Sequence, residues 1–143
     1  MINFIEGKIN IGEKNILFIS ENELNTLAEE GLIEKRKNAV ENFYYVEDEA
    51  GGMRFDVVIS LREKKIQWLR LHWSDSPMKG WDDVSVKGVK NEYHLLLNVV
   101  EKLVGRPPDI KKNREHTWSF IWGQIDVSFD LRAFQTDIFM VPR

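Results

Sequence analysis

The sequence contains no cysteine, which excludes disulfides, thiolate nucleophiles and Cys-based zinc sites and suits a reducing compartment. Long apolar runs are missing too. No stretch approaches the roughly 20 apolar residues of a membrane span, and the first residues, MINFIEGKINIGEKN, are broken by Glu6 and Gly7 where a secretory peptide would stay apolar. These absences predict a cytoplasmic protein with no membrane partner. Charge of one sign is scarce: 20 Lys and Arg against 23 Asp and Glu leave a net charge of −3, which leans against general nucleic-acid affinity.

The motifs of common chemistries are also lacking. Gly51-Gly52 reads as a turn, and no GxGxxG or GxxxxGK[ST] opens a helix, so dinucleotide and P-loop sites are not expected. There is no GxSxG elbow and no HExxH. His72, His94 and His116 do not fall at the spacings that aim two imidazoles at one metal. The expectation is no catalytic residue, no metal and no cofactor. An enzyme reading would rest on His72 with Asp75, or His116 with Glu115, as a base and its orienter.

What is present describes an ordinary folded chain. The 143 residues are 43% hydrophobic and 11% aromatic, enough for one core, and no linker or repeat divides them, so a single domain over residues 1–143 is predicted. Lys8 to Ile11 and Asn15 to Ile19 flank Gly12-Glu13-Lys14 as a small β unit. Ser20-Glu21-Asn22-Glu23 is a capping box for a short helix ending at Gly31, with Leu24 and Leu27 buried.

From Glu41 to Trp73 the apolar period is two. Met53, Phe55, Val57, Ile59 and Leu61 share one face, and Arg54, Asp56 and Ser60 the other, predicting a three-stranded meander whose first turn is an acidic tip from Glu47 to Gly52. Alternation blurs in the third strand, where Leu69, Leu71 and Trp73 form one row and Ile66 and Trp68 start another. Ser74 to Gly88 reads as a loop. Asn91 to Val104 is the main packing helix, stopped by Gly105 and Pro107-Pro108. Thr117 to Leu131 reads as one strand kinked at Gly123, closed as a hairpin by Thr136 to Val141. The predicted class is α+β, an antiparallel sheet packed on one main helix with a second short helix.

Acids are the suggestive residues. Asp126 and Asp130 fall on the polar side of the C-terminal strand, Glu47, Asp48 and Glu49 crowd one turn, and Asp82 and Asp83 follow Trp81 in a loop. Acids that steer a cationic partner, with Trp81 as anchor, make these eight residues the candidate docking set. The alternative is a nucleic-acid or small-ligand module that stacks its ligand on Trp68, Trp73 and Trp118 beside the basic runs Glu34-Lys35-Arg36-Lys37 and Lys111-Lys112-Asn113-Arg114.

Over the last third of the chain, Gly105-Arg106-Pro107-Pro108, Trp118, Trp122-Gly123-Gln124-Ile125, Phe129-Asp130-Leu131-Arg132 and the final apolar strand resemble small bacterial immunity proteins of polymorphic-toxin and contact-dependent growth-inhibition systems. The resemblance implies a non-catalytic cytoplasmic protein that binds a cognate toxin C-terminal domain, often a nuclease, and blocks its active site or substrate surface.

Overall fold

The computed structural model describes residues 1–12, 14–16, 21–37 and 42–143. Glu13, the Leu17-Phe18-Ile19 part of the expected second strand and the Ser20 cap lie outside the described residues. The chain opens with a two-stranded antiparallel pair, β1 (Ile9–Ile11) and β2 (Lys14–Ile16), followed by α1 (Glu21–Glu29). Four strands come next: β3 (Glu34–Lys37), β4 (Asn42–Ala50), β5 (Met53–Arg62) and β6 (Lys65–Trp73). After α2 (Val86–Val104) the pattern repeats with β7 (Ile110–Lys111), β8 (Glu115–Ser119), β9 (Gly123–Asp130) and β10 (Gln135–Pro142). Among the described residues these last eight strands form one antiparallel sheet in the order β3-β4-β5-β6-β10-β9-β8-β7. Each half is thus a helix followed by a four-stranded meander, and the halves meet where β6 pairs with β10. The expected α+β class, with a main helix packed on an antiparallel sheet, is what forms.

Local chemistry explains the corrections. The acidic tip is not a loop: β4 runs to Ala50, and only Gly51 and Gly52, with φ of 58° and 77°, make the turn into β5. Two consecutive left-handed residues match the twist of the strands they join, and glycine enters that region without a Cβ penalty. In β6 the blurred alternation is a bulge. Ser60 pairs with Trp68 and Leu61 with Ile66, so Gln67 is the extra residue and Ile66 returns to the core side while Trp68 does not.

The main helix starts five residues before the expected Asn91. Ser85 caps it by accepting from the Gly88 amide, and the polar VKGVKN turn hides this start from any apolar pattern. Gly105 ends it in the left-handed conformation, as expected. Gly123 marks a hairpin and not a kink: β8 and β9 are separate paired strands, and Phe120 and Gly123 exchange backbone hydrogen bonds across the turn. The two basic runs contribute the edge strands β3 and β7, where charge or shortness blunts edge-to-edge pairing.

One face of the sheet makes the core. Tyr44, Phe55, Val57, Ile59, Leu71, Trp118, Ile125, Val127 and Ile138 are essentially inaccessible there. α2 covers β9 and β10 with a stripe of Val89, Tyr93, Leu96, Leu97, Val100 and Val104, the three- and four-residue spacing of one helical face. Leu24 and Leu27 of α1 and Ile9 and Ile11 of β1 complete the same core. Trp122 Nε1 donates to the Ile5 carbonyl at 3.0 Å, tying the N-terminal segment to the β8–β9 turn. Among the described residues no helix is long and apolar enough to cross a membrane.

Candidate functional site

Pairing register lays out the opposite face, over which no described helix or strand packs. Because side chains alternate, the partners Phe43–Ser60–Trp68, Tyr45–Val58–Arg70–Phe139–Asp126–Thr117 and Glu47–Asp56–His72 form transverse rows on it, the last continuing to Asp137 and Ser128. Aromatic rings join the first two rows: Trp68 lies 6.2 Å from Phe43 in its own row and 6.1 Å from Phe139 in the second, between ring centroids. The third is acidic. Glu47 sits directly opposite Asp56, both exposed, an arrangement that opposes folding because like charges face each other across the strands. A groove of about 450 Å³ runs between the rows, lined among others by Glu34, Tyr45, Glu47, Asp56, Arg70 and His72.

His72 is held by Asp137, Nδ1 to Oδ1 at 2.9 Å, with Gln135 beside both. That hydrogen bond raises the imidazole pKa above its usual value against an opposing effect of burial, and the charges of Asp137, Glu92 and Asp56 add to the rise. The pair therefore contributes stability that is full below about pH 6.5 and is lost as pH climbs through the raised folded-state value. Asp137→Asn is expected to cost about 1 kcal/mol at pH 6 and much less at pH 9, while lowering the His72 titration midpoint seen by NMR. A loss independent of pH would refute the charged pairing.

Glu92 on α2 is a second group with a perturbed pKa. It is buried, Oε2 accepts from the Ser76 hydroxyl at 2.9 Å, and Oε1 has no partner among the described residues. Burial raises its pKa; the Ser76 hydrogen bond and the His72 charge oppose the rise, and Asp137 adds to it. The folded state holds this proton more tightly than the unfolded one, so stability falls as pH rises from about 4.5 through the folded-state value. Glu92→Gln is expected to raise stability by about 1 kcal/mol at pH 7 and to flatten that fall, as followed by urea unfolding at several pH values.

The eight expected docking residues divide. Trp81 is 79% exposed, edge-on to Phe134 at 6.1 Å, with Asp82 and Asp83 exposed beside it. Glu47 and Glu49 stand on the face opposite the core, Glu49 directly across from Arg54, and Asp130, though exposed, also accepts from the Arg132 amide in the β9–β10 turn. Two are withdrawn. Asp48 points to the core side, accepts from the Asn10 and Glu49 amides and pairs with the Met1 ammonium at 3.2 Å, its side chain only 5% exposed. Asp126 is buried, its oxygens taken by Thr117 Oγ1 at 2.7 Å and by Gln124 Nε2. These six remaining residues lie toward one end of the sheet, yet β4 and β9 are four strand spacings, roughly 19 Å, apart, so they line a surface and not one pocket.

The stacking set does not assemble. Trp118 is fully buried with Nε1 donating to the Arg106 carbonyl, Trp73 packs on the core side, and only Trp68 reaches the acidic face. Neither His–acid neighbour pair forms: the carboxylate bonded to His72 is Asp137, and His116 stands against the Tyr93 ring. Burial, then the nearby charges of Lys111 and His94, lowers the His116 pKa. Among the described residues no group of three or more His, Asp and Glu is arranged to hold a metal.

No protein-family model matches the chain, and no curated protein or solved structure does. The face itself is then the guide. Residues carrying the C-terminal resemblance serve the scaffold: Arg106 grips Asp109 and the Ser119 carbonyl at 2.6 Å and lies over the Phe120 ring, and Trp118 fills the core. Residues that distinguish the face, namely Phe43, Asp56, Arg70, Phe139 and the His72–Asp137 pair, were not in the expected set. The polar side of β5 was legible in its alternation, but its neighbours come from strands distant in sequence.

Proposed function

We propose that the chain is an immunity-type protein: a non-catalytic cytoplasmic inhibitor that docks the acidic, aromatic face of its sheet onto the basic domain of a cognate bacterial toxin. The single observation that carries this reading is Glu47 facing Asp56 on the same face as the Phe43, Trp68 and Phe139 ring cluster. Opposed carboxylates weaken the isolated fold and gain from a cation placed between them; aromatic rings nearby supply the desolvated anchor such an interface needs. A nuclease domain is a fitting partner, since a surface that binds a polyanion is basic. Free nucleic acid fits poorly, because the same carboxylates repel phosphates.

The test is to mix the purified chain with the toxin domain encoded in the adjacent upstream reading frame. A stable complex on size exclusion, loss of toxin activity, and a fall of about tenfold or more in affinity for Trp68→Ala are expected. A domain that stays active and elutes separately overturns the reading.

A further inference from the structure

Arg70 stands out on the acidic face. Its Nε is buried without an acceptor, and it makes no ion pair or hydrogen bond among the described residues, although Glu34, Glu47 and Asp56 line the same groove. A buried donor without a partner costs roughly 1–3 kcal/mol, so the groove floor is incomplete as it stands. A simple cation would answer the carboxylates and leave Arg70 orphaned. A polyanion would answer Arg70 and meet the carboxylates. A ligand of both signs satisfies the whole groove.

We infer that this groove receives an acid–base pair from the partner, a carboxylate seated on Arg70 and an ammonium or guanidinium seated between Glu47 and Asp56. The identity of the occupant as part of a protein rests on the docking reading above; the groove chemistry does not. Its spacing follows from the register: Arg70 lies opposite Val58, and Asp56 is two residues from Val58 on the same side of β5. Two residues of extended chain span roughly 7 Å and β6 lies roughly 5 Å to the side of β5, so Arg70 and Asp56 stand roughly 8 Å apart across the pair, a separation that alternate side chains of a bound strand, roughly 7 Å apart and one of them a long lysine, can span. The occupant is an extended segment carrying an acid and a base at alternate positions.

The probe is acetyl-Asp-Ala-Lys-amide, titrated into the intact chain in low salt while the Arg70 Nε–H resonance is followed by NMR. A saturable shift is expected, at least about tenfold weaker with Asn-Ala-Lys or Asp-Ala-Gln in its place, since each replacement removes one charge-assisted contact. Read from the backbone amides of Asp56 and Val58, which line the same groove, Arg70→Gln should weaken Asp-Ala-Lys to the level of Asn-Ala-Lys on the unsubstituted chain, and Asp56→Asn, at an exposed position, should weaken the response to the base without disturbing the fold. Equal shifts with sodium acetate alone, equal binding of the peptides lacking either charge, or no shift at all would overturn the inference. A toxin domain whose affinity is unchanged by Arg70→Gln but falls with Trp68→Ala would sink this inference and leave the docking reading standing. Failure of the domain to bind, while Asp-Ala-Lys still titrates, would do the reverse.

Discussion

Gly123→Ala is expected to be the most damaging single methyl group in the molecule, destabilising it by about 3–5 kcal/mol. Gly123 opens β9 opposite Pro142 with φ of 155°, where an added Cβ would lie 2.1 Å from the Val141 carbonyl oxygen and 2.8 Å from Pro142 Cα. Those atoms belong to the backbone of β10, so they recede only if the β9–β10 ladder opens. The same residue exchanges hydrogen bonds with Phe120 to close the β8–β9 turn, and the carbonyl of the adjacent Trp122 accepts from Arg143. Strain at this point therefore spreads into the half-sheet against which α2 packs. Gly52→Ala is the control: its φ of 77° is strained for alanine, but nothing lies within 4 Å of the new methyl, so about 1 kcal/mol is expected. Thermal unfolding by circular dichroism should show a drop of roughly 10 °C or more for the first and a few degrees for the second. Similar drops would mean that the clash, and with it the tight seat of Gly123, is wrong.

That contrast also bears on what the sequence makes visible. Elements set by local chemistry were readable: the alternation of β5 from Met53 to Leu61, the stripe from Tyr93 to Val104 and its Gly105 stop all hold in the structure. Features set by distant pairing were not. A glycine between two apolar runs reads equally as a kink or a turn until β8 is seen to pair with β9. The bulge at Gln67 needs β5 to expose it, because only a partner strand shows that one residue is extra. Acids behave likewise. Asp48, Asp126 and Asp56 look alike in sequence, yet Asn10 and the N-terminus claim the first, Thr117 and Gln124 the second, while the third remains opposite another carboxylate. Position along the chain groups these acids together, and only the register distinguishes those spent on the fold from those left over.

Asp56→Lys separates a docking role from a structural one more sharply than any deletion, since the two roles predict effects of opposite sign on two measurements. Across the β4–β5 pair the substitution turns a repulsive contact with Glu47 into an attractive one, so resistance to urea should rise by about 0.2–1 kcal/mol. It also lowers the His72 titration midpoint, because Asp56 is among the charges that raise it. Toward a basic partner the same change removes a steering charge and installs a repelling one. Association should slow by about tenfold to a hundredfold at low ionic strength, and the difference should shrink at high salt, where charges beyond roughly 3 Å are screened. Adding Glu47→Lys should deepen the loss of association while cancelling the gain in stability, because two lysines then face each other as the two acids did. Stopped-flow association at two salt concentrations, beside urea unfolding of each variant, reads both quantities. A gain in stability with unchanged association would leave the opposed carboxylates without a role in docking. Falling association with rising stability would mean that the face carries a repulsion the fold alone does not need, retained for the partner that relieves it.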